Sequence, residues 1–217
     1  MRKVKILILT NGEYGDYGFC KEDVLEQDSY DFVICADGGI VHAQNLGIVP
    51  DLIVGDFDSG NHETLSYYKA LNIPIETFNP VKDETDTEIA IKKAVEKGAT
   101  AITIYGGVGS RLDHTLGNVH LVYSLNELGI QGRLMNPHNT VYVVNDSIVL
   151  SGQVGDLVSL IPFAGDAKGI KTKHLGYPLE GENLRVGTSR GISNYMTKQQ
   201  AEISLEEGAL IVIQARD

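Results

Sequence analysis

Leu52-Ile53-Val54-Gly55-Asp56-Phe57-Asp58-Ser59 is the stretch on which the fold turns. Leu52-Ile53-Val54 has the length and apolar character of a buried strand. Gly55 then permits a sharp turn, and two aspartates one residue apart follow it. If the backbone stays extended beyond the strand, Asp56 and Asp58 share a face and Phe57 points the other way. Paired carboxylates at a strand's C-terminal end suit a hard divalent cation, most naturally Mg2+ with substrate phosphates. An acidic turn between strand and helix accounts for the same residues without a ligand, and both readings stand at this point.

The strand-then-turn pattern repeats on either side. Lys5–Leu9, Phe32–Cys35, Ile73–Phe78 and Ala101–Tyr105 read as further strands. Helical patterns lie near Lys21–Gln27, Ile40–Leu46, Glu63–Ala70, Thr85–Lys97 and Asp113–Leu128. This alternation predicts an α/β domain with a mostly parallel sheet and helices on both faces. In such sheets ligands gather beyond the C-terminal strand ends. Each strand here delivers Gly, Asp or both to that rim: Thr10-Asn11-Gly12, Ala36-Asp37-Gly38-Gly39, Gly55–Ser59, Asp83-Glu84-Thr85-Asp86 and Gly106–His114.

The pattern breaks at Asn136-Pro137-His138-Asn139. Beyond it helical periodicity fades, and Thr140–Val144, Leu157–Ile161, Ala201–Leu205 and Ala209–Ile213 read as strands. Glycine punctuation between them predicts a small antiparallel sandwich or barrel.

Several classes are disfavoured by the whole chain of 217 residues. A net charge of -11 argues against broad nucleic-acid or anionic-membrane binding. It leaves a nucleotide substrate open, because bound Mg2+ inverts the local field. No apolar run is long enough to span a bilayer. The opening run Ile6–Leu9 is too short for a secretory signal and reads as a strand. Cys20 and Cys35 form no metal spacing or disulfide framework, and a reduced, cytoplasmic protein is expected.

The chemistry concentrates at the rim. Thr85-Asp86-Thr87-Glu88 has the form of a helix capping box, and Asp86 could simply complement the helix dipole. Gly106–Ser110 could cradle an anion on backbone N–H groups, although it lacks the P-loop and dinucleotide patterns. Arg111 adds a bidentate phosphate grip, and Asp113 is either an N-cap or a metal ligand. Two carboxylates about 4 Å apart repel by roughly 1 kcal/mol in water and about 4 kcal/mol at intermediate dielectric. Gathering Asp37, Asp56, Asp58, Asp83, Asp86 and Asp113 therefore calls for compensation by Mg2+, Lys82 and Arg111. A metal–nucleotide site fits the combination best.

Taken in order, Asp37-Gly38-Gly39, Gly55-Asp56-Phe57-Asp58-Ser59, Lys82-Asp83-x-Thr85-Asp86 and Gly106-Gly107-x-Gly109-x-Arg111-x-Asp113-His114 resemble the thiamin pyrophosphokinase family. Ser189–Asn194 resembles a motif of its bacterial members, and the resemblance covers essentially the whole chain. It implies a Rossmann-like α/β nucleotide-binding catalytic domain over residues 1–135. A β-sandwich for thiamin binding and dimerisation would follow over residues 139–217. The implied reaction moves diphosphate from ATP to thiamin, yielding thiamin diphosphate and AMP, in a homodimer with thiamin sites between subunits. By this resemblance Asp56, Asp58, Asp83, Asp86 and Asp113 would be catalytic and hold Mg2+. Asn11, Asp37, Gly38, Gly39, Lys82, Gly107, Ser110, Arg111 and His114 would lie beside the nucleotide, and Ser193 and Asn194 beside thiamin. A tryptophan that some relatives place against thiamin has no counterpart, because the chain contains no Trp. Alternative readings of the Asp-x-Asp motif are a Mg2+ phosphatase, a nucleotide-sugar transferase or a non-catalytic thiamin or nucleotide sensor.

Overall fold

The computed structural model describes residues 3–22, 29–57 and 62–216. The chain divides into two compact units, Met1–Pro137 and His138–Asp217. Together they make a sheet-rich α/β protein.

The first unit alternates strand and helix. Its elements are β1 (Lys5–Leu9), α1 (Tyr17–Lys21), β2 (Phe32–Ala36), α2 (Gly39–Leu46), β3 (Leu52–Gly55), α3 (His62–Ala70), β4 (Ile75–Thr77), α4 (Asp86–Glu96), β5 (Ala101–Tyr105), α5 (Leu112–Glu127) and β6 (Gln131–Asn136). The strands pair in the order β4-β3-β2-β1-β5-β6, and each of these pairings is parallel. Leu9 is in register with both Cys35 and Tyr105, and Gly55 with Thr77, so the C-terminal ends share one edge. The strand order reverses between β1 and β5, where the connections leave in opposite directions. That reversal opens a crevice at the edge.

Period-2 alternation explains the core. Leu7 and Leu9 pack with Ile40, Ala43 and Leu46 of α2 and with Leu65 and Tyr68 of α3. Ile6 and Ile8 point the other way and are also fully buried. A strand buried on both faces reads as a continuous apolar run, as Ile6–Leu9 does.

Some boundaries differ from the sequence expectation. The first helix is capped by Asp16, whose carboxylate accepts from Gly18 N (2.7 Å) and Phe19 N (3.2 Å), so α1 lies before the expected Lys21–Gln27. Residues 23–27 of that expectation lie outside the described residues. β4 is shorter than Ile73–Phe78. β6 lies beyond the strands expected from sequence, because Gly132 and Arg133 interrupt its apolar pattern.

The second unit is all-β: β7 (Asn139–Val144), β8 (Ser147–Ser151), β9 (Leu157–Lys173), β10 (Glu180–Leu184), β11 (Asn194–Tyr195), β12 (Gln200–Ser204) and β13 (Glu207–Ala215). Its pairings are antiparallel. The long β9 pairs with β10, β11, β12 and β13, using different parts of its length for β13 and β12. Leu157–Phe163 pairs with β13, and Lys171–Lys173 pairs with β12. Between these parts Ala164 has φ +58, which bends the strand. Val158, Leu160, Ile170, Leu184, Ile203, Leu210 and Val212 form the core of this unit.

Candidate active site

Loops after β1, β2, β3, β4 and β5 converge on a cleft of about 860 Å3 at the C-terminal edge of the parallel sheet. Asn11, Asp37, Asp56, Lys82, Asp86, Gly107, Ser110, Arg111 and His114 line it, all expected there from sequence. Such a volume suits a small-molecule ligand.

The floor consists of two loops in backbone contact. Thr10 N donates to Tyr105 O (3.0 Å), and Glu13 N donates to Val108 O (3.0 Å). A Cβ on Gly12 would collide with the Gly106 carbonyl, so this approach requires glycine. Gly38 lies against the Asn11 side chain, and Gly39 begins α2. From α5, Asn118 donates to Gly107 O (2.7 Å), while Thr115 Oγ1 accepts from Gly109 N (3.3 Å) and donates to Arg111 O (3.2 Å). The glycine loop is thereby held by side chains of the helix that follows it. Asn118 was not anticipated. It shares a buried stripe with Val122 and Leu125 at helical spacing, and an amide in that stripe is the signal that finds it.

The opening motif requires a correction. Phe57 has φ +56, so the backbone does not continue extended beyond β3. The ring is buried in the core cluster that also contains Cys35, Ile53 and Tyr68, and that burial favours the turn. The alternation that put Asp56 and Asp58 on one face therefore ends at the strand. Asp56 lines the cleft; Asp58 and Ser59 lie outside the described residues.

The acidic residues after β4 separate. Thr85 caps α4, its hydroxyl accepting from Glu88 N at 3.2 Å. This places Asp86 at the first helical position, where it meets Lys82 Nζ at 2.8 Å with both side chains largely buried in the cleft wall. Asp83 is exposed and outside the cleft lining. Asp113 is also outside it, gripped by Arg111 through Nε (3.2 Å) and Nη2 (2.5 Å). That guanidinium holds the Asp113 carboxyl down at about 2. Among the described residues, no three His, Cys, Asp or Glu side chains are grouped to hold a metal ion.

In the second unit Ser193 is exposed, with φ +57 and its N–H donated to Ser159 Oγ (3.1 Å). Asn194 is buried. Its amide donates to Tyr177 O (2.8 Å) and accepts from Tyr177 N and Tyr195 N (both 2.9 Å). These bonds give Asn194 a structural role in holding two tyrosines.

Glycine loops and carboxylates meet at the reversal point of a parallel sheet, the place where open α/β sheets take up their ligands. Residues 25–132 match the family model described as thiamin pyrophosphokinase, catalytic domain, and residues 147–210 match thiamin pyrophosphokinase, vitamin B1 binding domain. The chain belongs to the thiamin pyrophosphokinase family. It is 29% identical over 192 residues to thiamine pyrophosphokinase of Bacillus subtilis, covering 88% of this chain and 90% of the relative. The crystal structure of thiamine pyrophosphokinase from that organism superposes with a TM-score of 0.87 at 27% identity, covering 98% of this chain and 99% of the other. Thiamin pyrophosphokinase from Geobacillus thermodenitrificans gives a TM-score of 0.84 at 26% identity, with coverage of 99% and 98%.

Proposed function

We propose that this chain transfers diphosphate from ATP to thiamin, releasing thiamin diphosphate and AMP. The carrying observation is that the cleft lined by Asp56, Lys82, Asp86 and the glycine loop lies in a chain whose halves match the family's catalytic and vitamin B1-binding models in order. In this reading the first unit is a Rossmann-like nucleotide-binding domain and the second a β-sandwich that binds thiamin and forms a cytoplasmic homodimer, with thiamin sites between subunits.

The donor chemistry fits Mg2+, since Asp56 and Asp86 present hard carboxylate oxygens to the cleft. Asp58, which lies outside the described residues, and Asp83 and Asp113, which lie outside the cleft lining, enter the proposed set only on the family resemblance. When bound, the ion supplies charge neutralisation at the phosphates. The protein's own residues bind and orient. Backbone N–H groups of the Gly106–Ser110 loop and the Arg111 guanidinium hold phosphate oxygens. Lys82 faces both Asp86 and the nucleotide, and Asp37 with Gly38 and Gly39 flanks it. Positioning the thiamin alcohol in line with the β-phosphorus then supplies much of the rate without a covalent enzyme intermediate.

Incubating purified protein with ATP, Mg2+ and thiamin tests the reading. AMP released together with thiamin diphosphate is expected. Inorganic phosphate alone would identify a phosphatase, and saturable binding without turnover a sensor. Sedimentation tests the dimer separately.

A further inference from the structure

Beneath the cleft, outside its lining, lies an aromatic cluster that the reaction does not use directly. Tyr14 is 3% exposed. Its hydroxyl lies within bonding distance of two carbonyls, Thr10 O (3.0 Å) and Tyr105 O (3.2 Å), at the roots of the loops after β1 and β5. Burial raises its pKa, so the phenol remains a donor. Its ring occupies the space beside Gly106, where φ is +75 and a Cβ would meet Tyr14 Cε2 at 2.5 Å. The ring also stacks on His42 of α2, with centroids 3.8 Å apart and planes 6° from parallel.

His42 is fixed in turn. Asn45 Nδ2 donates to the Tyr17 hydroxyl (3.1 Å), which lies 2.8 Å from His42 Nδ1. The Tyr17 hydroxyl donates to Nδ1 or accepts from it according to the tautomer, and either bond holds the ring in place. α2 is the helix that follows Asp37-Gly38. One side chain therefore touches the supports of three cleft-lining loops: Thr10–Glu13, the Asp37 turn and Gly106–Arg111.

We propose that Tyr14 is a positioning residue that sets the spacing of these three loops, its hydroxyl tying the first to the third and its ring seating both on α2. The proposal rests on the reading of the cleft as the ATP site. Tyr14 touches no substrate; it acts through the backbone N–H groups that do.

The test compares Tyr14→Phe with Tyr68→Phe. Tyr68 is also a buried residue and donates through a part-buried hydroxyl to Ile48 O (3.0 Å), away from the cleft lining, so its variant reports loss of a tyrosine hydrogen bond without the tie. Expected for Tyr14→Phe is an ATP KM raised about tenfold with kcat within about twofold, the pattern of lost ground-state binding. Tyr68→Phe keeps the wild-type KM. Amide exchange of the nucleotide-free protein provides a reading independent of ATP. Thr10 and Glu13 amides exchange about tenfold faster in Tyr14→Phe than in Tyr68→Phe, reporting easier local opening. An unchanged KM in Tyr14→Phe, an equal rise in both variants, or equal exchange overturns the proposal. If the wild type neither binds nor turns over ATP, the functional reading fails, and exchange alone decides whether the tie exists.

Discussion

Asp86 concentrates the electrostatics of the cleft in one side chain. Its 2.8 Å pair with Lys82 keeps a carboxylate and a cation together where phosphate charge is proposed to enter. Asp86→Asn removes the charge and keeps the shape. Turnover is expected to fall on the order of 100-fold. Lys82 borders an open cleft and can rehydrate, so stability should fall by no more than about 2 kcal/mol. Steady-state kinetics and urea unfolding check both parts, and near-normal turnover at saturating Mg2+ would remove the proposed metal role. His42 makes a prediction of opposite character. Burial lowers its pKa from 6.5 to about 4. The unfolded chain therefore binds the proton first as pH falls. The contribution of neutral His42 is fully present above about 6.5, declines between 6.5 and 4, and levels off below that. Urea midpoints measured across this window should converge between wild type and His42→Phe, which preserves a stacking ring but cannot titrate; parallel curves would contradict the assignment.

At the level of elements, α4 shows how local chemistry positions a functional group. Thr85-x-x-Glu88 is a capping pattern in the sequence, and the Thr85 hydroxyl accepts from Glu88 N at 3.2 Å. Thr85→Ala should cost about 1 kcal/mol, with Thr85→Ser retaining most of it, as read by thermal or urea unfolding. Because the cap also fixes Asp86 at the helix start, turnover should fall in the Ala variant and recover in the Ser variant. β3 illustrates the opposite case. Its apolar run is legible, but the path beyond Gly55 is not. Phe57 has a positive φ and its ring joins a core cluster that draws Ile53, Cys35 and Tyr68 from β3, β2 and α3. No pattern within Gly55–Ser59 contains that contact.

For the whole molecule, ligand linkage gives the broadest check. Under the proposed function, Mg2+·ATP at about 100 times its Kd should stabilise the protein by about 2.7 kcal/mol. Differential scanning fluorimetry should show a rise in midpoint that a chelator reduces, whereas no rise at any ATP concentration would deny the nucleotide a site. The cleft exists because the strand order β4-β3-β2-β1-β5-β6 reverses beside β1. Gly12 and Gly106, far apart in the chain, meet there through backbone contact.

By itself the sequence determined the βα rhythm, the break near Pro137, the all-β character of the second unit, and most residues that line the cleft. These depend on periodicity, capping and turn chemistry, which act over a few residues. Only the tertiary structure decided which acids share the cleft. Asp56 and Asp86 line it, Asp113 is engaged by Arg111, and Asp83 is exposed. It also decided that Asn118 holds the glycine loop, that Asn194 is engaged by the backbone of two tyrosines, and that Tyr14 underlies three loops. Those outcomes depend on strand order and on side chains meeting across long stretches of chain. Local pattern contains no measure of such distances.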